Sequence, residues 1–227
     1  MSPKKEIIQS INPATLEVYA EIEATDPGEL KAIVAEAREA QREWWRIGFD
    51  RRVEYLLRFR DIVLDRLDEV AEVITKDNGK TLFEALNSEV YPALDMVRFC
   101  AKDARKALRD EPLNNPMFNI ARIESDVVFE PLGVVGIISP WNFPFSIPVT
   151  QVLAALTAGN AVVLKTAELT AGVGDLIRRL FEDAGLPKRV LTVVQGLGNV
   201  VGEAMMDAGF DKISFTGSVP VGRHLMQ

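Results

Sequence analysis

An asparagine between two prolines is the first residue in this chain that could do chemistry. It lies in the run from Ser139 to Pro144 (SPWNFP), directly after an apolar segment. Because proline restricts the backbone, the Asn142 amide is expected to point in a fixed direction, where it could donate to a developing oxyanion. The alternative is a proline-rich turn in which Asn142 only bonds its own backbone.

Two further motifs suit a bound nucleotide. Lys165 and Glu168 follow a second apolar segment, and their side chains could bond the hydroxyls of a ribose. A solvated ion pair is the alternative.

Residues 195–202 (QGLGNVVG) have the spacing GxGxxxG, one residue longer than the usual dinucleotide fingerprint. Such a turn lets the backbone approach a phosphate at the start of a helix, although a turn without any ligand fits the same residues.

A fourth motif follows the last apolar segment of the chain. Gly217 and Ser218 are predicted to begin a helix whose first N–H groups are free to meet a ligand, which makes a second candidate phosphate site. The alternative is an ordinary helix capped by Ser218.

The elements that must position these motifs are short apolar strands separated by helices. Strands are predicted over residues 134–138, 161–164, 190–194 and 212–215, with helices beginning near Pro148, Thr170 and Asn199. This alternation is typical of a parallel sheet that is covered on both faces. Ligands of such sheets bind beyond the carboxyl ends of the strands, where all four motifs lie.

The preceding part of the chain, residues 1–115, is predicted to be mainly helical. A first helix begins at the cap Asp26, a second runs from about 51 to 76, and a third covers roughly 82–108 with a kink at Pro92. Residues 116–131 are predicted to form an extended segment, and residues 132–227 the sheet.

Composition excludes several classes of protein. The 227 residues are 48% hydrophobic and 26% charged, as in a globular protein, and the net charge of −7 disfavours nucleic acid and anionic membrane surfaces as partners. A single cysteine allows no internal disulfide, which fits the cytoplasm. Neither a signal peptide nor a membrane span is expected.

In their order and spacing, the motifs of this chain resemble the NAD(P)-dependent aldehyde dehydrogenase superfamily. They are PWNFP, VVLKTAE, the glycine-rich turn and SFTGSVPVG. The similarity extends over nearly the whole chain, with INPATLEVYAEI near the start, DNGK at 77–80 and EPLGVVGIISPWNFP. It implies an α/β fold: N-terminal helices plus a Rossmann-like parallel sheet, as the truncated, cofactor-binding part of the aldehyde dehydrogenase fold. Lys165-Thr166-Ala167-Glu168 replaces the commoner Lys-Pro-Ser-Glu, and Ala171 stands where a proline often lies; neither change removes a cofactor contact.

The resemblance also implies roles for individual residues. Asn142 matches the asparagine that donates to the thiohemiacetal oxyanion, and Lys165 and Glu168 match the pair at the adenosine ribose. The remaining matched positions surround the cofactor: Ser139, Pro140 and Trp141 in its groove, Gly198 and Gly202 beside the adenine, Phe215, Gly217, Ser218 and Val221 under the pyrophosphate, and Gly222 closing that turn.

The family's general-base glutamate and nucleophilic cysteine match no residue of this chain. Cys100 lies on the inward stripe of a predicted helix and is expected to be a buried structural thiol, and His224 is expected at a plain surface or core position with no partner for a triad or a metal site.

The chain is therefore predicted to be the N-terminal fragment of a homo-oligomeric enzyme that oxidises an unspecified aldehyde to a carboxylic acid with NAD, NADP being possible, and to be inactive alone. The alternative is a non-catalytic dinucleotide-binding or subunit-interaction module. A coding sequence that continues beyond codon 227 into a Glu-Leu-Gly-Gly-like stretch and a cysteine would favour the fragment.

Overall fold

A four-stranded parallel sheet lies at the centre of the fold. In the computed structural model, which describes residues 6–113 and 124–227, its strands are β5 (Val134–Ile138), β6 (Ala161–Lys165), β7 (Leu191–Val194) and β8 (Lys212–Phe215). They lie in the order β7-β6-β5-β8. The predicted parallel sheet is confirmed, with each strand within one residue of its expected bounds.

Helices cover both faces of this sheet because its strands are apolar on both. Successive side chains of a strand point to opposite faces. Val135 and Ile137 therefore face a core built largely from the other helices, whereas Val134 lies in a second core with Leu30 and Val34 of the first helix. Buried on both sides, the strands fix the positions of the loops that follow them.

The helices that alternate with the strands begin close to where the sequence predicts them. They are α7 (Ser146–Thr157), α8 (Ala171–Asp183), the short α9 (Glu203–Met206) and α10 (Val219–Leu225). Two shorter turns precede them, a 3-10 turn at Glu168–Thr170 and a π-helical turn at Gly198–Gly202.

The first two helical predictions differ in outcome. Helix α1 (Leu30–Arg46) follows a 3-10 turn at Pro27–Glu29 that is capped by Asp26, whose carboxylate accepts from Gly28 N at 2.8 Å, as predicted. The single helix over 51–76 is wrong, because α2 (Phe49–Asp65) and α3 (Leu67–Asn78) are separated at Arg66, which has φ −113° and ψ 27°. The apolar stripe continues through both helices, so spacing alone gives no sign of the break.

The third predicted helix is a succession of short pieces. Helix α4 (Leu82–Glu84), a π-helical segment (Ala85–Val90), α5 (Tyr91–Lys102) and α6 (Ala104–Ala107) follow one another. Pro92, in the first turn of α5, carries no N–H for the preceding turn, which explains why the regular helix is interrupted just before it.

Two antiparallel pairs of strands lie outside the four-stranded sheet. Strands β1 (Ile7–Ile11) and β2 (Val18–Glu23) form a hairpin that the sequence analysis did not predict, within the part expected to be mainly helical. Strands β3 (Glu111–Pro112) and β4 (Asp126–Val127) pair within or beside the extended segment predicted over 116–131, of which residues 116–123 lie outside the described ranges. Within those ranges, no helix combines the length and apolar composition that a membrane crossing requires.

Candidate functional site

The carboxyl ends of the strands lie side by side. Ile138 of β5 is paired with Lys165 of β6 and with Phe215 of β8. The alignment continues one residue further, since Ser139 N donates to Lys165 O at 3.0 Å and Thr216 N donates to Ile138 O at 3.0 Å. Three loops therefore leave the sheet at the same edge, where a cavity of about 580 Å³ opens.

This cavity, hereafter the strand-end groove, brings together most of the predicted site residues. Asn142 and Gly222 do not line it. The predicted residues that do are Ser139, Pro140, Trp141, Lys165, Glu168, Gly198, Gly202, Phe215, Gly217, Ser218 and Val221.

The lysine and glutamate of the second motif form a partly buried pair. Lys165 Nζ lies 3.5 Å from Glu168 Oε2, and the side chains are 3% and 35% exposed. Lys165 Nζ also donates to Thr166 O at 3.0 Å. Burial lowers the pKa of the Lys165 ammonium, and the Glu168 carboxylate partly offsets that effect. The solvated ion pair considered above is therefore excluded for Lys165, although Glu168 reaches solvent at the groove.

A buried hydroxyl faces the same space without a partner. Ser139 is 5% exposed and lines the groove, and its Oγ has no hydrogen-bond partner among the described residues. Since an unpaired buried hydroxyl costs free energy, this atom fits a polar ligand that bonds it. A dinucleotide, with its ribose and amide groups, is a ligand of that kind.

Two glycines of the groove lining lie close to other lining residues. A Cβ at Gly202 would make ordinary van der Waals contact with Lys165 Cε, at 3.8 Å. A Cβ at Gly217 would lie 2.5 Å from the Phe215 ring, a distance that no real side chain tolerates. Gly222, which is outside the groove lining, packs on the same ring, where a Cβ would lie at 3.4 Å.

Ser218 caps α10 and lines the groove at the same time. Its Oγ accepts from Val221 N at 3.5 Å. The two alternatives for this motif are therefore compatible, because the cap leaves Ser218 and Gly217 at the groove wall.

Asn142 lies in an adjoining cavity of about 350 Å³. The two cavities share the residues Pro140, Trp141, Thr216, Gly217 and Ser218, so they are continuous along the sheet edge. Asn142 Oδ1 accepts from Phe143 N at 3.1 Å, which is the backbone bond of the turn alternative. That bond uses the oxygen only. The Nδ2 group has no partner among the described residues, so its N–H groups are available to donate to a ligand.

Several groove residues were missed by the sequence analysis. The most notable is His224, which lies at the surface, as expected, with its side chain 59% exposed. Its Nε2 lies 3.0 Å from the Glu203 carboxylate, a contact that the sequence analysis did not predict. Both side chains line the groove, as does Asn199. Asn199 lies inside the glycine-rich turn, and Glu203 and His224 lie one and two residues after glycines of the motifs. Nearness to those glycines is the one signal that could have found them.

Cys100 lines neither the strand-end groove nor the adjoining cavity. It is 1% exposed in the core between α5 and α7, with Sγ 3.8 Å from Leu153 O, and burial raises the pKa of its thiol. The prediction of a buried structural thiol is confirmed.

Comparison with known proteins gives one consistent family. The sequence model described as the aldehyde dehydrogenase family matches residues 1–227. Among curated relatives, malonate-semialdehyde dehydrogenase 3 of Geobacillus kaustophilus is 36% identical over 225 residues, which are 99% of this chain and 45% of the relative. The chain thus spans a little less than half the length of the relative it matches.

Solved structures give the same result. An NAD-dependent benzaldehyde dehydrogenase from Corynebacterium glutamicum superposes with a TM-score of 0.86 at 33% identity, over 99% of this chain and 48% of that one. A structure described as an E. coli NADP-dependent enzyme superposes with a TM-score of 0.90 at 29% identity, over 97% and 45% of the two chains. A protein described as NAD-dependent and one described as NADP-dependent therefore share this fold.

Proposed function

The chain belongs to the aldehyde dehydrogenase family, as its motifs indicated, and on that premise we propose that it is the dinucleotide-binding part of an enzyme that oxidises an aldehyde to a carboxylic acid. The observation that carries the proposal is the strand-end groove. It is lined by a buried cation, a carboxylate and an unpartnered hydroxyl, which lie at or just after the carboxyl ends of two neighbouring strands.

The groove residues suit NAD. The Lys165 ammonium donates and the Glu168 carboxylate accepts, so together they can bond both hydroxyls of the adenosine ribose. Gly217 and Ser218 are proposed to lie under the pyrophosphate, with Gly198 and Gly202 beside the adenine. When bound, NAD supplies the hydride acceptor of the oxidation. NADP is the second cofactor to consider, because the E. coli neighbour is described as dependent on it.

Asn142 is proposed to stabilise negative charge that develops on the carbonyl oxygen. Asn142 lines the cavity next to the groove, and neither Lys165 nor Glu168 lines that cavity. A donor held there by the Phe143 bond would need no reorganisation during the reaction, which is how such donors lower a barrier.

A second candidate function is a non-catalytic dinucleotide-binding or subunit-interaction module. The burial of Cys100, the one cysteine in the sequence, favours it for this chain taken alone. On the basis of the family, we also propose that the enzyme is a homo-oligomer, that its substrate is an aldehyde and that it is located in the cytoplasm.

Glu168 is expected to make the chain prefer NAD to NADP. At roughly 4 Å, a unit-charge pair at an effective dielectric near 20 is worth about 4 kcal/mol, and Glu168 would face the 2′-phosphate of NADP. Since its side chain is 35% exposed and can turn away, we expect about 1–2 kcal/mol, or roughly 5–30-fold in the ratio of dissociation constants. Glu168→Gln should move that ratio towards NADP, as measured by titration with each dinucleotide.

The control is Glu72→Gln, which removes a surface carboxylate paired with Lys76 at 2.7 Å on α3. It should leave the ratio unchanged. A wild type that binds NADP more tightly, or an unchanged ratio in Glu168→Gln, would show that another group sets the preference; Lys165, which could pair with the same phosphate, is the first to consider.

A further inference from the structure

A buried ion pair lies directly beneath the loop that carries Asn142. Lys80 Nζ is 2.8 Å from Glu89 Oε1, with the side chains 15% and 0% exposed. Neither residue lines the strand-end groove. A pair of this kind contributes little net stability on its own, because the cost of removing two charges from water offsets much of their attraction.

Glu89 fixes one end of the loop. Its second oxygen, Oε2, accepts from Phe145 N at 3.1 Å and from Ser146 N at 2.8 Å, where α7 begins. Free N–H groups at a helix start attract a carboxylate, so Glu89 holds the junction between the loop and the helix.

Lys80 and Asn78 fix the middle of the loop. Lys80 Nζ donates to the backbone oxygen of Asn142 and lies 4.5 Å from the centre of the Phe143 ring. It also donates to Asn78 Oδ1 at 2.8 Å, and Asn78 Nδ2 donates to Trp141 O at 2.8 Å. Four backbone groups of the loop therefore contact three side chains from a distant part of the sequence: Trp141 O, Asn142 O, Phe145 N and Ser146 N.

Local structure aims these side chains at the loop. Asn78 ends α3, and Gly79 continues with φ 81°, a conformation that favours glycine and turns the chain towards Lys80. Glu89 lies in the π-helical segment Ala85–Val90, and π-helical turns of this kind are frequent at functional sites.

We propose that Asn78, Lys80 and Glu89 are positioning residues, which hold residues 141–146 so that the Asn142 amide faces the cavity next to the strand-end groove. This inference rests on the proposed function of Asn142. The three residues do not touch the reacting atoms; they act through the backbone of the loop.

Hydrogen exchange of the 227-residue chain tests the positioning itself. Asn78→Ala and Lys80→Met are expected to speed exchange of the amides of residues 142, 143, 145 and 146 about tenfold, by making local opening easier. Lys80→Arg, which keeps the charge, should retain most of the protection. The control Lys76→Met removes a lysine that pairs with Glu72 on the same helix and should change nothing in the loop. Exchange that stays unchanged at 142–146 in Asn78→Ala, or that rises equally in all helices, would overturn the inference.

Kinetics test the consequence in a protein of the relatives' length that carries this sequence. Asn78→Ala should lower kcat about tenfold and change the KM for NAD less than about twofold, as expected when a reacting donor is misplaced. Added to Asn142→Ala, the same change should have almost no further effect, because both remove one interaction. A full tenfold loss on top of Asn142→Ala would overturn the inference. If Asn142→Ala alone leaves kcat unchanged, the proposed function fails, and the exchange measurement still decides whether the loop is held as described.

Discussion

Purified alone, the 227-residue chain is expected to oxidise no aldehyde and to hydrolyse no ester. Both reactions of the family need a reactive thiolate, and the sequence contains one cysteine, Cys100. That thiol is 1% exposed, and its raised pKa keeps it protonated, so it cannot reach or attack a carbonyl. The expected loss is total within detection, since removing a covalent nucleophile from a protease costs about 10⁶ in kcat.

The measurement is NADH production from a panel of aldehydes, with Cys100→Ser as the matched variant. The two proteins should give the same background rate. Sustained NADH production that disappears in Cys100→Ser would contradict the account, because it would make the core thiol a nucleophile.

In a protein of the relatives' length that carries this sequence, Asn142→Ala is expected to lower kcat by about 10²–10³, the range for loss of a single oxyanion donor. The dissociation constant of NAD should stay nearly unchanged, because Asn142 does not line the strand-end groove. Steady-state kinetics with a saturating aldehyde, together with direct titration of NAD, measure the two quantities.

Asn142→Asp separates the two roles of this residue. Aspartate keeps the oxygen that accepts from Phe143 N at 3.1 Å, and so preserves the turn, but it has no amide donor. The donor role predicts that Asn142→Asp is at least as damaging as Asn142→Ala. Near wild-type turnover in Asn142→Asp, or loss of NAD binding with turnover intact, would make Asn142 a turn residue.

Local patterns were sufficient to predict the sheet and the edge at which the groove opens. Apolar runs of four or five residues, each followed by a motif with glycine, proline or charged residues, locate β5, β6, β7 and β8. Because parallel strands end at one edge, residues as distant in sequence as Ser139 and Ser218 could be assigned to one site.

Features that depend on long-range contacts could not be predicted in this way. Lys80 and Glu89 are ordinary charged residues in the sequence, and only the fold places them under the loop at Asn142. The pair between Glu203 and His224 forms across two short helices, and no local spacing indicates it. Strand β1 was missed because it packs on α8 through long-range contacts that the local sequence does not indicate. In one of them, Gly172 N donates to Ser10 Oγ at 2.8 Å.

Hydrogen exchange of the 227-residue chain with and without saturating NAD tests the central claim, that the strand-end groove holds the dinucleotide. Protection is expected in peptides covering residues 139–141, 165–168, 198–203 and 215–222, which contain the groove lining. A separate cavity of about 320 Å³, lined by Arg178, Lys188, Arg189 and residues of β7, offers an internal control and should show no change. Protection confined to residues 178–193, or none at all in a chain that is folded by circular dichroism, would contradict the account.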